Sequence, residues 1–251
     1  MRFCLFTTGP GAGTGGRLGL VRARQVVDVH NACVASLSDR MSARRAVEIA
    51  SAQCPSDLLG FLENGRFAWR ALQDAIDQLG DKLADTALAT PAGQPVVQPS
   101  AGLRLVPIAP WQLRWTPGST GQWQGVPLPP DGPLPTTLHT DGRPYIHELL
   151  AVVGAAGRDI AEDDAWKHIA LVAELHPTNR AHVGLLRTPE EIDPEDRHLR
   201  ALIARAVHEA STAHPLLVGD VVRTGRSLLA PGATPRAEED VQLDDAVTRG
   251  S

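Results

Sequence analysis

The stretch Tyr145-Ile-His-Glu-Leu-Leu-Ala-Val-Val-Gly-Ala-Ala-Gly-Arg-Asp-Ile-Ala-Glu-Asp-Asp-Ala-Trp-Lys-His-Ile-Ala170 decides the fold. Ile146 to Val153 reads as a strongly apolar strand, Glu162 to Ile169 as a short helix, and Leu171 to Glu174 as a second strand. Further on, Asp193 to Ala213 has helical spacing, with Leu199, Leu202, Ile203 and Val207 on one face.

Toward the N-terminus the pattern is a small meander: Phe3 to Thr7, a glycine-rich turn, Leu18 to Arg22, then Gln25 to Val29 leading to Asn31 as a helix cap. The turn holds a GxGxxG match at Gly11, Gly13 and Gly16, but Arg17 onward reads as strand, whereas a phosphate cradle must open a helix. Ala43 to Ala52 and Pro55 to Leu83 carry helical spacing. From Asp85 to Gly102 periodicity fades and Pro and Gly gather, which reads as a linker. Trp111, Trp115 and Trp123 then sit in a long irregular stretch to about Pro144, expected to be a functional loop or lid.

A chain of 251 residues with 43% hydrophobic and 21% charged residues has ordinary globular composition, so whole-chain disorder is excluded. Its net charge of −5 lacks the basic excess that phosphate-backbone binding needs, so no nucleic-acid partner is expected. No apolar run is long enough for a membrane span and the first residues lack a signal-peptide pattern, so a cytoplasmic protein is expected. Cys4, Cys33 and Cys54 are widely spaced with no CxxC, and read as small core residues.

The central block resembles the fumarylacetoacetate hydrolase family, in which a strand written roughly Glu-x-Glu-Leu-Ala-Val-Val-Ile-Gly precedes Gly-Arg-x-Ile and Ala-Trp-x-His-Ile-Ala, here Ala165 to Ala170. Gly219-Asp-Val-Val-Arg-Thr-Gly225 is similar to the family's Gly-Asp-Val-Ile-x-Thr-Gly, and Arg17 to Val21, Val26 to Val29 and Pro55 to Leu62 resemble its small N-terminal domain. The resemblance implies an α+β fold, with an N-terminal α/β domain over 1–90 and a mainly-β sandwich or roll over 103–235; composition adds a linker over 91–102 and an acidic tail over 236–251. It also implies a homodimer. Gly154, Trp166 and His168 are expected to be structural, with Trp166 in the core.

Members of this family hold a magnesium-like ion on carboxylates that binds both oxygens of a dicarbonyl or enolised keto acid. Here the first family glutamate falls on Ile146 and the second on Glu148; the ligand aspartate falls on His176, or on Pro177 without a gap; the catalytic His-Glu segment is replaced by Trp111 to Trp115. No resident cofactor is therefore expected, with magnesium or another divalent metal as the alternative. A softer ion on His147, Glu148, His176 and His182 is a further possibility, although His147 and Glu148 are adjacent on a strand and face opposite ways.

Glu148 is expected to act as acid or base, or else to tie down Arg180 or another arginine. Glu174 and His176, two apart on a presumed strand, can serve one cavity as carboxylate and imidazole. Trp111, Trp115, Trp123, His147, Arg180 and Thr224 complete the expected substrate-binding set, while Asp220 and Thr224 can equally fix a turn. The leading expectation is a diverged enzyme of bacterial specialised metabolism catalysing isomerisation, cyclisation or lyase chemistry on an enolisable small molecule without metal. Two alternatives stand: a catalytically silent binding or scaffold subunit, and a metal-dependent hydrolase or decarboxylase whose missing ligands come from His139, Asp141 or Asp159.

Overall fold

The computed structural model describes residues 1–7, 16–101, 103–105, 113–117, 123–127, 148–175, 186–195 and 197–224, with the backbone alone at 104–105, 113–117, 123–127, 148, 174–175 and 198. The chain divides after Leu105 into two compact units.

In the first unit β1 (Arg2–Thr7), β2 (Arg17–Arg22) and β3 (Gln25–Asp28) form an antiparallel meander, with Leu20 opposite both Phe3 and Val27. Because Arg17 opens a strand, no helix follows Gly16 as a phosphate cradle requires. β3 stops one residue short of Val29 because the Asp28 carboxylate accepts the N–H of Asn31 and caps α1 (Val29–Ser38). Asn31 is therefore not the cap expected from sequence; its amide donates to the Pro95 carbonyl, and its side-chain oxygen accepts from Arg17. The Arg17 guanidinium also grips the buried Asp28, with Nη2 3.0 Å from Oδ1.

Three helices follow: α2 (Ala43–Gln53), α3 (Leu58–Glu63) and α4 (Arg66–Leu79). The helical spacing from Pro55 onward is split at Gly65, whose φ of +50° suits glycine and redirects the chain between α3 and α4. Phe61 is fully buried, and Trp69 meets it edge-on at 4.9 Å and Phe3 at 5.6 Å. Residues 91–102 are not a free linker. Within them β4 (Val97–Pro99) pairs with β3 as an edge strand, where Pro is tolerated, and Val96 and Val97 are buried. β5 (Arg104–Leu105) pairs with β1, so the first unit runs beyond the limit expected at residue 90.

All three cysteines are free thiols and buried in this unit. Burial pushes the Cys4 thiol up to about 12. A side-chain hydrogen bond with Cys54, then desolvation, raises Cys33. Cys33 Sγ donates to the Ala71 carbonyl and Cys54 Sγ to that of Val29. Since the thiolate is the nucleophile, the folded protein should release almost no thionitrobenzoate from Ellman's reagent at pH 8 until guanidinium unfolds it. A thiol reacting at the rate of free cysteine would contradict this burial.

The second unit comprises β6 (Leu113–Pro117), β7 (Trp123–Pro127), β8 (Glu148–Val153), α5 (Ala165–His168), β9 (Ile169–Leu175), β10 (Leu186–Arg187), α6 (Arg197–Ala213) and β11 (Val221–Arg223). Its strands lie in the order β10-β9-β8-β11-β6-β7, antiparallel except where β11 meets β6. With the helices, this is an α+β architecture. Trp115 and Trp123 do not lie in an irregular lid: they belong to the β6–β7 ladder, opposite Gly125 and Pro117. The helix expected from Asp193 begins at Arg197, because the Asp193 carboxylate accepts the Glu195 N–H in a local turn that competes with helix. Trp166 is only partly buried, with the Arg200 guanidinium 4.2 Å from its ring centroid. The acidic tail at 236–251 lies outside the described residues. No helix among the described residues is long and apolar enough to cross a membrane.

Gly154 follows β8, and a Cβ there would stand 2.5 Å from Ala170 Cβ and 3.2 Å from its Cα. His168 secures the same corner: its carbonyl accepts from the N–H groups of Gly154 and Ala155, and its Nδ1 donates to the Ala155 carbonyl. Gly154→Ala should therefore lower stability by about 1–3 kcal/mol through overpacking, read from denaturant unfolding. An unchanged midpoint would show that the corner gives way freely.

Candidate functional site

The site is built on β8 and its neighbours β9 and β11. Leu149, Ala151 and Val153 on β8, Val172 on β9 and Val222 on β11 join one apolar cluster with Ile203, Val207 and Ala210 of α6. The alternating residues Leu150, Val152, Leu171, Ala173 and Val221 are equally buried and lie on the other face. Strands covered on both faces read as continuous apolar runs, which explains the sequence of β8.

This register sorts the expected site residues. Glu148 stands opposite Leu175, and Glu174 opposite Leu149, so the two glutamates hold positions on opposite faces of the pair. Trp115 is aligned with Val222 across the β11–β6 pair, and Trp123 with Pro117, which puts both tryptophan positions on the α6 face. A tryptophan lining around Glu148 is not what this register builds. The Glu174 position shares its face with Trp115, Trp123 and, by the bond from the Thr224 N–H to the Leu149 carbonyl, with Thr224. Trp111, His147, His176 and Arg180 lie outside the described residues, as do His139, Asp141, Ile146 and His182. Asp159 is exposed on a loop beside Arg158.

The turn before β11 is made by Gly219, with φ of +87°, and by Asp220, whose Oδ2 accepts the Leu217 N–H at 2.8 Å. Gly219 and Asp220 also exchange backbone bonds with Val153, fastening β11 to β8. Asp220 thus has a turn-fixing part. The Thr224 hydroxyl is buried with no hydrogen-bond partner among the described residues, a condition that costs about 1–3 kcal/mol when nothing satisfies it. Arg223 was missed by sequence reasoning. It is only 4% exposed, opposite Leu150 on the Glu148 face, and its one sequence signal was an arginine inside an otherwise apolar strand.

A magnesium-like ion asks for several hard oxygen donors. By the sequence resemblance the first family carboxylate falls on Ile146, outside the described residues, and the buried Arg223 holds a position on the face that carries the Glu148 position. Among the described residues no three His, Cys, Asp or Glu side chains gather into a ligand cluster. The described residues by themselves assemble no such donor set.

No family model matches the sequence, and no curated protein does either. Among solved structures, a maleylpyruvate hydrolase from Sphingobium sp. SYK-6 in complex with manganese(II) ion and pyruvate is 19% identical, covering 90% of this chain and 89% of that chain, with a TM-score of 0.50. The chain has a fumarylacetoacetate hydrolase-like fold. A fumarylacetoacetate hydrolase from psychrophilic Exiguobacterium antarcticum is 15% identical, with 91% and 87% covered and a TM-score of 0.46. At 19% identity the likeness to the maleylpyruvate hydrolase speaks for fold alone. In this fold Glu148 is the first residue of β8.

Proposed function

We propose that this protein is an enzyme of fumarylacetoacetate hydrolase type acting on an enolisable or dicarbonyl-like small molecule, and that it catalyses isomerisation, cyclisation or lyase chemistry without a resident metal ion. The carrying observation is the place of Glu148: a carboxylate at the start of a strand whose following residues are apolar and buried on both faces. There the Glu148 carboxylate takes a proton from the carbon beside a substrate carbonyl, the C–H electron pair passes into the enolate, and the proton returns at another carbon. We read the second unit as the family's sandwich or roll, and the assembly as a cytoplasmic homodimer in bacterial specialised metabolism.

A second reading is favoured by the unpartnered Thr224 hydroxyl. On it, the substrate lies on the face of the Glu174 position, with Thr224 as hydrogen-bond donor, Trp115 and Trp123 as apolar neighbours, and His176 as the imidazole beyond the strand. Proton NMR in D2O, on a panel of 2-oxo acids and 1,3-dicarbonyls, tests both. Either reading predicts faster C–H wash-out than buffer for at least one compound class, and no acceleration across the panel would contradict both and favour a silent binding subunit.

A further inference from the structure

We propose that Cys33 and Cys54 form a redox latch of the first unit: two thiols held against each other between α1 and the end of α2, open in the reduced protein and closed to a disulfide by a small-molecule disulfide oxidant. Cys33 stands in the middle of α1, and Cys54 is the C-cap residue of α2. Cys54 Sγ lies 3.9 Å from the carbonyl oxygen of Val29, one helical turn before Cys33. Helical side chains lean back over the turn that precedes them, so Cys33 Sγ is directed toward that same place. The two thiols hydrogen-bond to each other there. Cys33 Sγ also reaches the Ala71 carbonyl on α4, 3.7 Å away, and both side chains are buried.

Burial keeps both sulfurs from reagents in the closed fold, so reaction passes through local opening and takes hours rather than the minutes of an Ellman titration. Helix ends fray before helix centres, which frees Cys54 first, while Cys33 stays mid-helix against α4. The freed Cys54 thiolate attacks one sulfur of a disulfide such as oxidised glutathione; the glutathione S–S bond breaks, and one glutathione leaves and takes up a proton. Cys33 then gives up its proton and attacks Cys54 Sγ, forming the Cys33–Cys54 bond as the second glutathione leaves. The two cysteines lose two electrons and two protons, and the glutathione disulfide gains both. The closed link ties the end of α2 to the middle of α1 and restricts the unfolded chain between residues 33 and 54, so the oxidised protein is the more stable form. Cys4, on β1 opposite Gly19, is the third thiol against which the pairing is judged.

The latch stands independently of the functional reading, and its test needs no substrate. The folded chain is incubated for hours with excess oxidised glutathione, its remaining thiols are alkylated with iodoacetamide, and the digest is mapped by mass spectrometry. The expected result is a peptide linked through Cys33 and Cys54 as the dominant disulfide, with Cys4 alkylated. The guanidinium unfolding midpoint of the oxidised protein should shift upward and return to its starting value with dithiothreitol. Dominant pairing of either cysteine with Cys4, glutathione retained on Cys54 without closure, a lowered midpoint, or all three thiols still alkylated would each overturn the latch. Cys54→Ala should abolish both the link and the shift, whereas Cys4→Ala should keep both; loss of both in Cys4→Ala refutes the pairing. Where a variant does not fold, the peptide map and midpoint of the wild-type chain decide.

Discussion

Glu148→Gln should slow enzyme-dependent C–H exchange by roughly 10² to 10⁴ while leaving a folded protein, the range expected when a positioned acid–base group is lost. The substitution keeps the shape of the side chain and removes its charge, so what falls is proton transfer rather than packing. The same preparation should be followed by both NMR exchange and unfolding. A loss of stability is compatible with this result, because turnover is normalised to the folded fraction. Unchanged turnover of that fraction would remove Glu148 from the mechanism and move weight to Glu174, whose position shares a face with Thr224, and to His176.

Phe61→Ala should have the largest effect on the first unit, a loss of about 3–5 kcal/mol in unfolding free energy. Phe61 is fully buried at the end of α3 and is one of two aromatic rings that hold Trp69 edge-on. Its removal takes away the apolar burial and leaves a cavity that Phe3 and Trp69, fixed by β1 and α4, are poorly placed to fill. Trp69 fluorescence should report the same transition, and a midpoint within error of wild type would show that the cluster repacks without cost.

The second unit was legible where apolar runs are long. β8 and β9 are covered on both faces and α6 buries a regular stripe, so composition and period declare them. Legibility failed where local chemistry sets the boundary. Asp28 and Asp193 end or delay elements through side-chain bonds to nearby N–H groups, and Gly65 splits a helical run that spacing alone treats as continuous. Residues 91–102 were misread because edge strands tolerate the prolines that also mark linkers. For the site, the sequence pointed to Glu148 and to the divergence at Ile146, but faces are a matter of register. Only the pairing of β8 with β9 and β11 puts the Glu148 and Glu174 positions on opposite faces and the Arg223 position on the face of Glu148. The one sequence signal of the buried Arg223 is its place beside Val221 and Val222, which a strand end facing water would share.

On the proposed function, a fumarylacetoacetate hydrolase-like fold here moves protons with its own residues in place of a divalent ion. The most direct measurement of this is C–H exchange of the best panel compound by wild-type protein, first in excess EDTA and then with manganese(II) in excess of the chelator. The account predicts exchange above the buffer rate in EDTA and no further gain on adding the ion. Exchange at the buffer rate in EDTA, followed by acceleration with manganese(II), would contradict it.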